Sequence, residues 1–274
     1  MKSILITGCS SGIGYDAAIA LKDRGWTVFA SCRKQEDCDR LYALGLDSPR
    51  LDLADDKTIQ ATVDYVLNET GGTLDAVYNN GAFAVPGLVE DLPTDALREN
   101  FETNFFGYHT LNRLLIPVMR AQGHGRILNC SSVLGFAPLK WRGSYNSTKF
   151  ALEGLTDTMR LELKPAGIHV ITIEPGPITT DIRVKSQAPF EKWIDWENSA
   201  RREAYENLED RLYTTENKPD TFELPPSAVT KKIIHALESA NPKPYYLVTT
   251  ATYIMATLKR ILPSRAFHWF SSRL

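Results

Sequence analysis

A glycine-rich turn, Thr7-Gly8-Cys9-Ser10-Ser11-Gly12-Ile13-Gly14, stands at the head of this chain between two apolar segments of different period. Ser3 to Thr7 is a short apolar run, and Ile13 to Leu21 carries apolar residues at helical spacing, so the segment reads strand, turn, helix. That is the opening of a βαβ unit, which commits the fold to a parallel sheet flanked by helices. Gly8, Gly12 and Gly14 remove side chains where the backbone must turn tightly, approach a phosphate and pack helix on strand. Helix-end N–H groups then face the anion. A glycine cluster alone is as often a plain turn; its place between a first strand and a first helix favours a dinucleotide pyrophosphate.

The same alternation continues. Strands alternating with helices are predicted approximately at 2–7, 27–31, 48–52, 74–79, 125–130 and 169–174, and Tyr245-Tyr246-Leu247-Val248 predicts a seventh after a helix over Ser227 to Ser239. A long helical stretch runs from Thr94 to Arg120. With 274 residues, 43% hydrophobic content and no Pro/Gly/Ser linker, the chain reads as one α/β domain, residues 1–274. The expected architecture is a Rossmann-type, doubly wound parallel sheet of about seven strands with helices on both faces.

Tyr145 and Lys149 lie four apart in Tyr145-Asn146-Ser147-Thr148-Lys149, thirteen residues after Ser132. On a helix they share a face, so the ammonium favours the phenolate. An unperturbed phenol, with pKa about 10, is a reluctant base near neutrality, and lowering it suits proton exchange with a carbonyl oxygen. Ser132 follows the run Arg126 to Cys130 and is expected at the carboxyl edge of the sheet, with Ser131 as its competitor. A Tyr-x-x-x-Lys pair alone is common on helix surfaces; beside a glycine loop it points to redox chemistry.

Cofactor choice is read after the second strand, where an NAD site presents a carboxylate to the ribose. Here stand Cys32-Arg33-Lys34, with no acid before Glu36. Arg33 and Lys34 suit a 2'-phosphate, so NADP(H) is expected over NAD, against the plainer reading of a solvated basic loop.

These residues resemble the short-chain dehydrogenase/reductase family over nearly the whole chain, with the motifs in the family's order. Thr7 to Gly14 resembles its cofactor loop, Asp52-Leu53 its adenine-contacting pair, Asn79-Asn80-Gly81 its strand-four signature, and Asn104 in Asn104-Phe105-Phe106-Gly107 its structural asparagine. Ser132, Tyr145 and Lys149 complete the tetrad, and Pro175-Gly176-Pro177-Ile178-Thr179-Thr180 resembles the segment contacting the nicotinamide carboxamide. The likeness is nearest to the branch of retinol dehydrogenases, 17β-hydroxysteroid dehydrogenases and bacterial NADP-dependent aldehyde reductases. It implies catalytic residues Asn104, Ser132, Tyr145 and Lys149. It implies cofactor contacts at Gly8, Ser10, Ser11, Gly12, Ile13, Gly14, Arg33, Asp52, Leu53, Asn80, Gly81, Tyr145, Lys149, Pro175, Gly176, Ile178 and Thr180. Asn104 is implied to hold a water between Lys149 and solvent. One departure, Asn80-Gly81-Ala82 for the family's Asn-Asn-Ala-Gly, affects the backbone beside the cofactor.

The stretch 181–224 is charged yet carries Phe190, Trp193, Trp196, Tyr205, Tyr213 and Phe222. In the family this is the substrate lid; the aromatics either line an apolar substrate site or pack the lid onto the body. Residues 245–274 form the last strand and a basic amphipathic tail, which is expected to pack on protein rather than lie in a membrane surface. Its apolar run is too short to span a bilayer.

Net charge is −2 with no long basic block, which argues against a nucleic-acid partner. Four cysteines and five histidines lack metal or disulfide spacings, so no metal is expected and the thiols suit a cytoplasmic protein; a first strand near residue three leaves no room for a signal peptide. The expected activity is hydride transfer between NADP(H) and an apolar aldehyde, retinoid or steroid-like ketone or alcohol, in a homodimer or homotetramer. The alternatives are an NAD-dependent alcohol dehydrogenase and a non-catalytic NADP(H)-sensing module.

Overall fold

The computed structural model of the protein describes residues 1–214 and 219–273. Residues 215–218 of the stretch 181–224, and Leu274 of the tail, lie outside the described residues.

Six parallel strands form one sheet: β1 (Ser3–Ile6), β2 (Thr27–Ala30), β3 (Ala76–Asn79), β4 (Gly125–Cys130), β5 (Ile168–Glu174) and β6 (Tyr245–Leu247), in the order β2-β1-β3-β4-β5-β6. The crossovers are α1 (Gly12–Asp23), α2 (Gln35–Ala43), α3 (Asp56–Glu69), α4 (Thr94–Phe101), α5 (Gly107–Gln122) and α6 (Gly143–Leu163). After β5 come α7 (Ile182–Lys185), α8 (Gln187–Trp193), α9 (Arg202–Tyr213) and α10 (Ser227–Glu238), and after β6 come α11 (Thr250–Ile261) and α12 (Ser264–Ser271).

The strand expected at 48–52 is replaced by backbone that makes two isolated bridges, Asp47 with Phe29 of β2 and Arg50 with Cys32 just past β2. The reason is local chemistry. Pro49 has no N–H to give a ladder, and the Ser48 hydroxyl donates to the Ala30 carbonyl at 2.6 Å.

Alternation along each strand feeds two cores. Ile4 and Ile6 face Ala17, Leu21, Val229 and Ile233 of α1 and α10. Leu5, Val77, Ile127 and Val170 face α3, α5 and α6 through Val63, Leu111, Leu115 and Leu152. All are buried, so both faces of the sheet are covered.

The direction of strand addition reverses between β1 and β3, which opens a crevice at their carboxyl ends. Residues 181–214 fold over that edge with a small core of their own, in which Phe190, Ile194, Tyr205 and Leu208 pack with Val85 and Ala96. Phe190 and Tyr205 therefore pack this segment onto the body, while Tyr213 and Phe222 stay exposed. A cleft of about 700 Å³ between α8 and α9, lined by Trp193, Trp196 and Tyr213, contains none of the expected site residues.

The tail packs on protein. Met255 and Phe267 are buried against Ala137, in the loop that follows Ser132, and the Lys140 ammonium donates to the Ser272 carbonyl at 2.8 Å. Among the described residues, no helix is long and apolar enough to cross a membrane.

Candidate active site

The glycine loop is locked to β3. Gly8 has φ +72°, and a Cβ there would come within 2.5 Å of the Gly81 Cα, so only glycine fits. The Thr7 hydroxyl accepts from the N–H groups of Asn80 (2.9 Å) and Gly81 (3.0 Å). The Asn80 amide donates back to the carbonyls of Thr7 (3.1 Å) and Gly8 (3.2 Å), against the start of α1 at Gly14. Tyr108 donates to the Gly81 carbonyl at 3.1 Å, so the backbone after Asn80 is held although the order of Gly81 and Ala82 is exchanged.

At Gly12 (φ +62°) the chain enters α1, whose N-cap, Ser11, makes no side-chain capping bond. First-turn N–H groups therefore lack the usual internal acceptor and suit a phosphate oxygen. Ser10 and Ile13 flank this point, and the Thr180 methyl lies 3.0 Å from where a Gly12 Cβ would stand. A glycine loop clamped to the switch-point strand and opening onto an uncapped helix fits a dinucleotide pyrophosphate.

Two cations near this loop had no motif in the sequence. The Lys185 ammonium, at the end of α7, donates to the hydroxyls of Ser11 (2.7 Å) and Ser10 (3.2 Å). Arg40 of α2 donates to the Ser10 carbonyl at 2.5 Å and pairs with Asp37 at 3.1 Å. Arg33 is exposed just past β2, its carbonyl accepting from Arg50 at 3.1 Å. Leu53 is buried beneath Gly81, and the Asp52 carboxylate accepts from the Ala54 N–H at 3.0 Å.

The other half of the site is built on β4, α6 and the end of β5. The Ser144 hydroxyl donates to the Val85 carbonyl at 3.0 Å, pinning the amino end of α6 over the loop after β3. One helical turn on, Lys149 is fully buried and donates to the Cys130 carbonyl at 2.6 Å. Its ammonium lies 5.4 Å from the Tyr145 ring centre. Ser132 caps a short turn after β4, accepting from Leu134 N–H at 3.1 Å and donating to the Pro175 carbonyl at 3.4 Å. Ser131, the competitor, is buried, and its hydroxyl lies against the Glu153 carboxyl, which it helps to keep ionised. Gly176 abuts the Thr249 hydroxyl at the head of α11, and Ile178 bridges to Leu224.

Burial pushes the Tyr145 phenol well above its ordinary value, the nearby Cys130 thiol adds to this, and the Ser132 hydroxyl works the other way. The lowered phenol expected from the Tyr-x-x-x-Lys spacing is therefore not found. The physical reason is that Lys149 spends its short hydrogen bond on a backbone carbonyl, and burial lowers the ammonium's own affinity for its proton.

Asn104 interrupts the helix expected over Thr94 to Arg120: residues 102–106 form a π turn between α4 and α5. Such turns add a residue to the helix and collect at functional positions. Both N–H donors of the Asn104 amide are engaged. Its oxygen accepts from Phe83 N–H at 3.1 Å, and its nitrogen donates to the Phe83 carbonyl (2.9 Å) and the Thr148 hydroxyl (3.2 Å). It ties the π turn to α6 one residue before Lys149.

Two acids below the site carried no sequence signal beyond their charge. Burial raises Glu153 on α6, and burial together with the charge of Glu153 pushes Glu174 at the end of β5 up to about 8. Among the described residues no group of His, Cys, Asp and Glu is arranged to hold a metal ion.

With that geometry, known proteins can be compared. The family model for short chain dehydrogenases matches residues 2–190. Uncharacterized oxidoreductase YbbO of Escherichia coli (strain K12) is 37% identical over 265 residues, covering 96% of this chain and 91% of its own. Human Dehydrogenase/reductase SDR family member 9 is 31% identical over 259 residues, covering 89% and 79%. A solved short-chain dehydrogenase from Streptomyces avermitilis superposes with a TM-score of 0.77 at 26% identity, over 94% of this chain and 95% of that one. A Burkholderia phymatum protein solved in complex with NAD shares the fold, with a TM-score of 0.77 at 24% identity over 94% and 92%. The chain thus belongs to the short-chain dehydrogenase/reductase family and is an oxidoreductase of the nicotinamide-dinucleotide type.

Proposed function

We propose that the protein is an NADP(H)-dependent carbonyl reductase acting on an aldehyde or ketone of apolar character, with Tyr145 as general acid/base. The observation that carries this reading is the meeting of Tyr145, Ser132 and Lys149 at the carboxyl ends of β4 and β5, beside the crevice formed by Gly8, Gly12 and Gly81. When bound, the dinucleotide supplies the hydride. Ser132 donates to the carbonyl oxygen as charge builds there, and Tyr145 hands it a proton. Lys149 holds positive charge beneath the phenol, and Asn104 fixes α6 against the π turn so that this charge keeps its position. Gly8, Ser10, Ser11, Gly12, Ile13 and Gly14 take the pyrophosphate, Asp52, Leu53, Asn80 and Gly81 the adenosine side, and Pro175, Gly176, Ile178 and Thr180 the nicotinamide side.

The preference for NADP(H) rests on Arg33 standing exposed after β2 with no carboxylate before Glu36, and on Arg40 reaching the loop. Residues 181–224 serve as the lid. Exposed Phe106, Phe150 and Leu161 on the Asn104 and Tyr145 helices suit a homodimer or homotetramer, and four free buried cysteines suit the cytoplasm. The deciding experiment is a turnover screen of aldehydes and ketones with NADPH and NADH. Reduction with NADPH at higher kcat/KM, and loss of that preference in Arg33→Ala, is the expected result. A preference for NADH, or dinucleotide binding without turnover of any carbonyl, overturns it.

A further inference from the structure

Trp141 stands four residues before Tyr145, just ahead of the helix that carries it, and adopts φ +65°. In that left-handed region the Cβ crowds the following carbonyl oxygen, so a bulky residue stays there only when its surroundings enforce it. The backbone that follows is tied down. The Trp141 carbonyl accepts from the Gly87 N–H at 3.0 Å, Gly87 bridges to Arg142, and the Arg142 carbonyl accepts from the Asn146 N–H at 2.7 Å in the first turn of α6. Whatever sets Trp141 therefore sets the entry of α6, and with it the place of the Tyr145 phenol.

The Trp141 side chain is held by the segment after β5. Tyr205 of α9 is fully buried and meets the Trp141 ring edge-on, with centroids 5.0 Å apart. Its own position is over-determined. The hydroxyl donates to Asp91 at 2.7 Å and accepts from the Leu88 N–H at 2.9 Å, which uses its one donor and an acceptor site. Asp91 also accepts from the Ser199 hydroxyl at 2.8 Å, and the rings of Phe190 and Trp196 lie 6.2 Å and 6.5 Å from that of Tyr205. Gly87 lets these parts close up: a Cβ there would stand 2.9 Å from Ile194 Cδ1 and 3.6 Å from the Tyr205 hydroxyl oxygen. The loop 85–91 is thus bonded both to α9, through Leu88 and Asp91, and to the start of α6, through Val85 and Gly87.

We propose that Tyr205 is a positioning residue for the proton donor: by packing on Trp141 it holds the left-handed turn that aims α6, so Tyr145 takes its working place only when residues 181–214 are seated on the body. The inference rests on the reductase reading above and adds to it a route by which the segment after β5 acts on the rate of the chemical step. Once the Tyr205 ring is gone the strained turn relaxes, and a misplacement of about 1 Å at a reacting group costs roughly 10²-fold in rate.

The test is a set of variants assayed with NADPH and the carbonyl compound that the turnover screen ranks first. In Tyr205→Leu, kcat is expected to fall about 10- to 100-fold while the NADPH dissociation constant, read by fluorescence titration, stays within about twofold of the wild type. Tyr205→Phe, which keeps the ring and loses the bonds to Asp91 and Leu88, retains more of the rate. Position 141 separates positioning from plain packing. Glycine takes a positive φ without steric cost, so Trp141→Gly is expected to turn over faster than Trp141→Ala, which lacks the ring equally but keeps the Cβ that resists the turn. In the Trp141→Gly background the further change Tyr205→Leu lowers kcat by less than about twofold. An alanine variant as fast as the glycine variant, or a Tyr205→Leu loss of the same size in both backgrounds, overturns the positioning role and leaves the reductase standing. The pair of variants at position 141 decides the matter if Tyr205→Leu folds poorly. Failure of the wild type to reduce any carbonyl with either dinucleotide defeats the reductase reading, and this inference with it.

Discussion

The Lys185 ammonium sits 2.7 Å from the Ser11 hydroxyl, so a residue of the segment after β5 touches the glycine loop after β1 across 174 positions of chain. The same ammonium reaches Ser10, which places one cation over both serines of the loop. On the proposed reading a dinucleotide would lay its pyrophosphate against this point, where Lys185 would reach it from α7. Lys185→Met is expected to weaken NADPH binding about three- to tenfold, a modest effect because the side chain is exposed. Fluorescence titration measures it. Adenosine 2',5'-bisphosphate, which has no pyrophosphate, should bind wild type and variant alike; an equal loss for both ligands would place Lys185 elsewhere.

The raised Tyr145 phenol has a direction that kinetics can read. Because burial holds the proton on the oxygen past its ordinary range, the acid form needed for carbonyl reduction persists through neutral pH. The basic form needed for alcohol oxidation grows only on the alkaline side. Reductive kcat/KM is therefore expected to stay flat across neutrality while oxidative kcat/KM climbs with pH. Tyr145→Phe should lower both by roughly 10²- to 10⁴-fold. A reductive rate that falls between mildly acidic and neutral pH would show that a different group donates.

How much of this was legible beforehand differs between the sheet and its surroundings. The strand positions of β1, β3, β4 and β5 follow from apolar runs whose alternate residues feed two cores, a signal carried by each segment alone. The strand expected at 48–52 rested on the alternation of strands and helices, since Ser48-Pro49-Arg50-Leu51-Asp52 is itself mostly polar; Pro49 and the Ser48 hydroxyl remove ladder bonds, and an edge has only one neighbour to correct for that. The convergence of Tyr145, Lys149 and Ser132 was written in spacing. Lys185 and Arg40 were not, because each acts across a long separation in sequence, where pattern says nothing about who meets whom. The π turn at Asn104 was invisible for another reason: a helix with one extra residue keeps an apolar period close to that of an α-helix over so short a stretch.

The paired acids Glu153 and Glu174 set a pH dependence of stability. Glu174 titrates at about 8 in the folded protein, above its ordinary carboxylate range, so between those limits the native state holds a proton that the unfolded chain releases. Folding is then favoured on the acid side, and that contribution is lost as pH rises through about 8. Urea unfolding of the wild type should show stability falling by a few kcal/mol between about pH 5.5 and about pH 8.5, and Glu174→Gln should flatten that fall. An unchanged slope in the variant would mean that the pair does not share its charge in this way.

Phe267 argues for the tail as part of the body. It is 5% exposed and packs with Met255 and Ala137, directly behind the turn that carries Ser132. Truncating it opens a cavity in a small core that has little freedom to collapse, so Phe267→Ala is expected to cost about 3 kcal/mol. It should also raise KM, because the loop from Val133 to Ala137 loses its support. Trp269, 59% exposed on the same helix, makes the internal comparison: Trp269→Ala removes a similar aromatic from the surface and should leave stability within about 0.5 kcal/mol. Were α12 instead a membrane-surface element that only rests on the protein, the pattern would invert. Trp269→Ala would then abolish flotation with anionic vesicles, while Phe267→Ala would leave the unfolding midpoint where it was.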